Sequence, residues 1–353
     1  MVNNPMAQYP YRVFLSYAHE DGDLAAMAAQ ALTGMGLNPV WDRDIRPGAP
    51  FTDAIKGFIA HSHIFMPLIT GHSALRPWVH QETGYAMALN IPILPVALAA
   101  VPGEMAAQLQ AMVVKDDLSD FTQRLAAVDL GQVVHAPHTN PSTMLEVTTW
   151  SEKRTELLAS YGRQVLQLGA SGRVQQRAAL SSFSIPNKSL THALWALREG
   201  ANRRSNYQRQ LQRAEREVLE QHARAAGCDL IIDPTFSLAR HGEESTKARL
   251  WILKQFLEDM PDDKVRVVCS RRAREGNLTV VGDWFSAESM SPDPVEGHRQ
   301  TVFDWHAPTV LQVLQRFQAD FVEECLECNS DASRGKAIAD IEGILGGWKP
   351  GGT

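Results

Sequence analysis

The chain is poor in cysteine, carries no excess of positive charge and contains no long apolar run. Four cysteines in 353 residues are too few for a disulfide framework, so a reducing compartment, the cytoplasm, is the expectation. The formal net charge of −6 argues against a general nucleic-acid binder and against a membrane-surface binder, though a local basic patch stays open. The longest apolar stretch, 91–101, is interrupted by Pro92 and Pro95. It falls well short of the roughly 20 residues that a spanning helix needs. Residues 1–10 hold no apolar segment, so no secretory leader is expected. What is present is ordinary globular material. Hydrophobic residues make up 44% and charged residues 21%, enough apolar surface for real cores, and the length suits two domains.

The first third alternates strand and helix signals. Arg12-Val13-Phe14-Leu15-Ser16-Tyr17 reads as a buried strand that opens into an acidic loop. A helical pattern follows over 24–35, closed by Gly36, then a short strand over 37–41 and a charged loop over 42–51. A helix over 54–60, a strand over 64–70, a helix reaching 89, a strand over 91–98 and a weaker helix over 104–112 complete the run. Such alternation with short connections predicts a parallel, doubly wound sheet. Trp78 and Glu82 lie four residues apart just past the third strand. On a helix they share one face, at the position where open α/β sheets bind ligands. From these residues alone, a surface glutamate beside a core tryptophan is the favoured reading.

Phe14-Leu15-Ser16-Tyr17 with Asp21 resembles the first box of the Toll/interleukin-1 receptor (TIR) domain family. Val40-Trp41-Asp42-Arg43-Asp44-Ile45-Arg46-Pro47-Gly48 is similar to that family's second box, and residues 59–65 to its next helix-to-strand passage. Ser73, Trp78 and Glu82 match the S-x-x-x-x-W-x-x-x-E element of the family's NAD-cleaving branch. The resemblance implies a flavodoxin-like domain over 8–135 that either scaffolds other TIR domains or splits NAD+ at the nicotinamide–ribose bond. It makes Glu82 the catalytic residue and Trp78 a packing or pocket-wall residue. Trp41, Arg43, Phe51 and the 42–50 loop would line the pocket or close it from a neighbouring subunit, and Phe14, Ser16 and Tyr17 would form its floor. NAD+ is then substrate rather than cofactor, and no metal is implied. As bare sequence, Asp42, Arg43, Asp44 and Arg46 alternate in sign and read as solvated surface, while Trp41 and Phe14 read as packing.

The remainder is less legible. Residues 134–142 have turn composition, with Pro137 and Pro141, and mark a boundary. A helix is expected over 144–168, within a helical connector spanning 136–185. Beyond it, 186–345 reads as a second α/β domain with a mixed or parallel sheet. Its expected helices cover 190–200, 202–225, 244–259 and 309–325, and its strands 228–232, 264–270, 277–285 and 301–306. The arginines of 202–225 read as a solvated helix face with intrahelical ion pairs. Asp233, Arg271, Arg272, Asp283, Trp284, Trp305 and His306 fall just past predicted strand ends. Arginine suits phosphate and tryptophan suits a base, so these residues are candidates for a regulatory site that senses a nucleotide second messenger. A protein or nucleic-acid ligand is the other reading, and each residue alone reads as core or loop charge. Cys325 and Cys328 form a C-x-x-C without a second pair and read as reduced thiols.

Together these readings give a cytoplasmic NAD+ nucleosidase, with ADP-ribosyl cyclase activity left open. It would be activated by self-association of TIR domains and controlled by the C-terminal domain. The layout resembles bacterial immune effectors of antiviral defence. The alternative is a non-catalytic TIR adaptor, including a virulence mimic of host TIR signalling.

Overall fold

A computed structural model of the chain describes residues 10–42, 51–73, 77–98, 111–135, 144–178, 180, 182–184, 206–270, 276–290 and 300–349. Its contacts divide the chain into two units, Met1–Leu145 with Trp305–Leu311 and Glu146–Asp304 with Gln312–Thr353. Among the described residues no helix is long and apolar enough to cross a membrane.

The first unit runs β1 (Arg12–Ser16), α1 (Gly22–Gly34), β2 (Asn38–Val40), α2 (Phe51–Ala60), β3 (Ile64–Ile69), α3 (Pro77–Ala88), β4 (Val96–Leu98), β5 (Met112–Val114), α4 (Phe121–Ala126) and α5 (Leu130–Val134). All five strands are parallel, in the order β2-β1-β3-β4-β5. β1 and β3 are buried along their whole length, which is why they read as continuous apolar runs: a parallel strand with helices on both sides has no wet face. Successive side chains feed opposite cores. Val13 and Leu15 join Ile64, Met66 and Leu68 against Ala25, Ala28, Ala29 and Leu32 of α1. Phe14 joins Phe65, Ile55, Ile59 and Ala86 on the other side. The alanines of α1 let that helix lie close to the sheet. Gly36 then adopts φ +79° and Leu37 N–H returns to the Leu32 carbonyl at 3.0 Å, the left-handed helix stop that glycine adopts without strain.

Two expectations change in this unit. The strand over 91–98 contracts to Val96–Leu98 with an isolated bridge from Ile93 to Phe65, because Pro92 and Pro95 offer no N–H to a ladder. Met112, expected to end a helix, opens β5 and Ala111 before it is not helical; residues 104–110 of that expected helix lie outside the described residues.

The second unit contains β6 (Leu145–Thr148), at whose first residue the division falls, α6 (Ser151–Gln167), β7 (Val174–Ala178), α7 (Asn206–Ala226), β8 (Cys228–Ile232), α8 (Pro234–His241), α9 (Glu243–Asp259), β9 (Val265–Cys269), β10 (Asn277–Val281), β11 (Phe285–Met290), β12 (Gln300–Asp304), α10 (Ala307–Glu327) and α11 (Arg334–Leu345). The sheet is mixed, in the order β6-β12-β11-β10-β7-β8-β9. β7, β8 and β9 are parallel and β10 to β12 form an antiparallel meander.

The segment read as a helical connector supplies β6, α6 and β7, and β7 lies inside the sheet. The single helix expected over 144–168 begins at Ser151, where Trp150 is extended (φ −92°, ψ 125°). Before it, Val147 and Thr148 are β-branched residues that favour strand. The single strand expected over 277–285 is two strands joined by a tight turn in which Gly282 takes φ +53°. A Cβ there would lie 2.9 Å from the Gly172 Cα, so the turn needs glycine. The expected helix over 190–200 lies outside the described residues. The arginine-rich α7 pairs Arg216 and Arg224 with Glu220 as the spacing predicts. It is not wholly solvated, since Glu215, Arg216 and His222 are buried.

The three parallel strands meet at Asp229, which has no exposed surface. Arg173 donates through Nε and Nη2 at 2.9 and 2.6 Å, Arg266 through Nε and Nη2 at 2.8 and 2.7 Å, and Gln175 through Nε2 at 3.1 Å. The Arg266 guanidinium also lies 5.1 Å from the centre of the Phe321 ring. Burial pushes the Asp229 carboxyl up, and the bonds from Arg266 and Arg173 outweigh it, holding it below the usual carboxylate range. The four cysteines are free.

Candidate active site

The strand order fixes where a site belongs. From β1 the chain crosses to β2 on one side, and β3 and β4 lie on the other. The carboxyl ends of β1 and β3 are therefore the switch point of a doubly wound sheet, where a ligand site is expected. Ser16, Tyr17 and Asp21 follow from β1, Asp42 follows β2, and the 70–73 turn with α3 follows β3.

Asp21 ties two of these segments together. It is 5% exposed, and its Oδ2 accepts from Thr70 Oγ1 at 2.6 Å while its Oδ1 accepts from His72 Nδ1 at 2.8 Å. Thr70 Oγ1 in turn accepts from the N–H groups of His72 and Ser73 at 3.1 and 3.0 Å, and Ser73 Oγ accepts from the Thr70 N–H at 2.8 Å. A short side chain that bonds backbone groups two and three residues away shapes a tight turn. Here that turn is pinned to β1. Past it, Pro77 opens α3, where a missing N–H costs nothing.

Trp78 and Glu82 then stand one helical turn apart. Glu82 is 6% exposed; its Oε2 accepts from Ser16 Oγ at 2.5 Å, and the Trp78 indole N–H donates to the same carboxyl. Trp78 itself is 38% exposed and forms a rim. Next to Ser16, the Tyr17 hydroxyl donates to Asp42 Oδ1, and the Tyr17 ring sits 6.1 Å from that of Trp41, tilted by 51°. Burial pushes the Glu82 carboxyl up; the bonds from Ser16 and Trp78 work the other way, and the charge of Asp42 adds to the rise, leaving it at about 7. At neutral pH this group is present in both forms. It can hold a proton, take one, or face a cation as a carboxylate.

Ser16, Trp78 and Glu82 are thus brought together, and Tyr17 and Trp41 form a second group with Asp42. Phe14 lies one step beneath Ser16 on the same strand face, sealed and stacked on Phe65 with ring centres 5.8 Å apart. Arg43 and the Phe51 side chain lie outside the described residues. Asp42, read from sequence as solvated loop charge, is half-buried within the cluster. The signal that could have found it is its place immediately after Trp41 at a strand end.

Of the residues proposed for a second ligand site, Asp233 and the Asp283–Trp284 pair, all in the second unit, do not converge. Asp233 follows β8 and is buried, its N–H bonded to the Ala178 carbonyl at 3.1 Å. Asp283 and Trp284 form the β10–β11 turn beside Val174, at the opposite end of β7. The hairpin reversal, invisible in the apolar run, separates them. Trp305 packs against the Phe14–Phe65 cluster. His306 is fully buried, with Nε2 donating to the Asn90 carbonyl at 3.1 Å and Nδ1 lying 2.9 Å from Thr309 Oγ1. Arg271 and Arg272 lie outside the described residues.

The family model described as "TIR domain" matches residues 13–128. Those residues carry a TIR domain with the parallel sheet and flanking helices described above, followed by a second α/β unit. Among solved structures, the TIR domain of the Toll-related receptor TRR-2 from Hydra magnipapillata matches at 18% identity and a TM-score of 0.30, covering 34% of this chain and 98% of that one. No curated protein matches the chain.

Proposed function

We propose that the chain is an NAD+ nucleosidase that breaks the nicotinamide–ribose bond with Glu82 as its single catalytic residue. The observation that carries this reading is a carboxylate almost removed from water at the β1–β3 switch point, held by Ser16 and Trp78. Nicotinamide is cationic in NAD+ and leaves with the electron pair of the C1′–N bond. The ribose left behind develops positive charge at C1′. A carboxylate facing it offsets that charge and accepts the ribose hydroxyl protons, in a site where low local dielectric strengthens the effect. Water then adds at C1′ and releases a proton, giving ADP-ribose; capture by a nucleophile within the nucleotide gives a cyclic product instead. Glu82 does this only when ionised.

Self-association of TIR domains, with the 42–50 loop of a neighbour closing the pocket, would keep the lone chain inactive. The second unit would control that step by binding a nucleotide second messenger or a protein trigger. In this reading the protein is a cytoplasmic immune effector of bacterial type.

The test is nicotinamide release from NAD+ by the full-length protein at low and high concentration, beside Glu82→Ala. Release that climbs faster than linearly with concentration, and falls by on the order of 10²–10³-fold in the variant, supports the enzyme and its assembly. Equal release by the variant removes Glu82 from the role. Silence from a chain that still self-associates assigns it a scaffolding role.

A further inference from the structure

We propose that Trp305 and His306 are positioning residues for Glu82, and that the turn they form is the route by which the second unit sets the helix that carries it. The proposal rests on the reading of Glu82 as the working carboxylate. Its basis is the path of the chain. Asp304 and Gln312 belong to the second unit, yet Trp305–Leu311 between them belongs to the first. The chain therefore leaves β12, passes through the first unit and returns along α10. Trp305 packs on the cluster that holds Phe14, Phe65 and Ala86. Its N–H donates to the Met144 carbonyl at 3.3 Å, so the start of the turn is fastened to the residue before β6.

What the turn holds is the far end of α3. Asn90 takes φ +55°, and the N–H groups of Asn90 and Ile91 return to the carbonyls of Met87 and Ala86 at 3.1 and 3.0 Å. This is the left-handed helix stop usually left to glycine, here built on asparagine. The Asn90 carbonyl accepts from His306 Nε2 at 3.1 Å, Thr309 Oγ1 lies 2.9 Å from the other ring nitrogen, and the imidazole is fully buried. Along the same helix, Val79, Glu82, Thr83 and Ala86 form the buried stripe, at the three- and four-residue spacings of one face. Glu82 thus stands one turn from Ala86, which shares the Trp305 cluster. At 1.5 Å per residue it lies about 9 Å along the axis from Ala88. So short a helix shifts as one piece. Ser16, by contrast, is held by the ladders of β1 to its neighbours, so a slide of α3 alters the Ser16–Glu82 bond. β12 and α10 continue the turn on its two sides, and a trigger that displaces either one pulls on both positioning residues.

The experiment reads hydrogen–deuterium exchange along α3 and nicotinamide release, both in full-length protein. The variants are His306→Ala, His306→Gln, which keeps a donor, and Thr301→Val. The last removes the contact of Thr301 Oγ1 on β12 with Ser289 Oγ at 2.8 Å and so loosens β12 without touching α3. In His306→Ala, exchange at the Asn90 and Ile91 amides should rise by up to about tenfold, the worth of one net hydrogen bond. kcat should fall by on the order of 10-fold to 10²-fold at unchanged KM, the mark of a misplaced group in the chemical step. His306→Gln should recover both. Thr301→Val should speed the same amides when His306 is present and not when it is alanine, a non-additivity that reports the link. Exchange at Asn90 and Ile91 unmoved by His306→Ala, or Thr301→Val effects that simply add, overturns the proposal. Should His306→Ala not fold, Trp305→Phe is read in its place against the same criteria. NAD+ cleavage that needs Glu82 but ignores His306 rejects the link alone. The expected exchange changes in a protein that never cleaves NAD+ reject the nucleosidase reading and leave the link to α3 standing.

Discussion

Glu82 in the first unit and Asp229 in the second are both carboxyls cut off from water, and their surroundings drive them in opposite directions. Glu82 faces a hydroxyl, an indole and another acid, and rises to about 7. Asp229 faces two guanidiniums and a carboxamide, and stays low against full burial. Burial depth does not tell the carboxylate proposed for catalysis from a structural one; the charge of what faces it does. Asp229 clamps three neighbouring strands and has its lone pairs filled. Glu82 is held by neutral donors, which fix its position without cancelling its charge, so the charge remains available to a substrate.

That contrast can be broken most severely at Asp229. Asp229→Asn removes the negative charge that Arg173 and Arg266 share, and removing one partner of a buried pair typically costs about 3–5 kcal/mol. Urea unfolding should show this loss in the second unit. A loss under ~1 kcal/mol would make the clamp incidental.

Glu82→Gln is next. It should remove activity by on the order of 10²–10³-fold with the fold intact, the reverse of the Asp229 result. Its effect on stability has the sign that functional burial predicts. The folded carboxyl titrates near 7 rather than the ordinary 4.5, so its favourable contribution is complete below 4.5 and is lost as pH rises through 7. The variant should therefore gain stability over wild type as pH climbs through that window, by at most about 3 kcal/mol. Thermal melts at pH 5 and pH 8 measure it, and equal differences at the two values would show that Glu82 titrates normally. For Asp229 the window is inverted: its contribution is present above the ordinary 3.8 and disappears as pH falls through its lowered folded value.

The smallest effect sharpens the comparison. Ser16→Ala removes a donor that stabilises ionised Glu82, so the acid limb of the pH–rate profile should move to higher pH. The stability change should stay near 1 kcal/mol, the usual net worth of such a bond. A limb that stays in place would mean that Ser16 only packs.

Much of the first unit was legible because parallel strands write themselves as unbroken apolar runs, as at 12–16 and 64–69. The spacing of Trp78 and Glu82 likewise placed both on one face of α3. Asp42 was hidden because it reads as one more charge in an alternating run, while its place just past β2 gives it the Tyr17 hydroxyl as a partner. The β10–β11 hairpin was hidden because Gly282 stands inside an apolar stretch, and only its positive φ announces the turn. β6 was hidden because the helical spacing that runs from Trp150 through Leu157 to Leu168 overshadows the few residues before it. The clamp at Asp229 joins residues up to 56 positions apart, which no local pattern records.

The knot at Asp21 also sets an order of events during synthesis. A carboxylate so enclosed cannot be accommodated until Thr70 and His72 arrive from 49 and 51 residues downstream, and Ser16 waits a further stretch for Glu82, 66 residues away. Distant contacts of this kind close late. These contacts are therefore the last to form around the end of β1, and a nascent chain cannot complete them until α3 has left the ribosome.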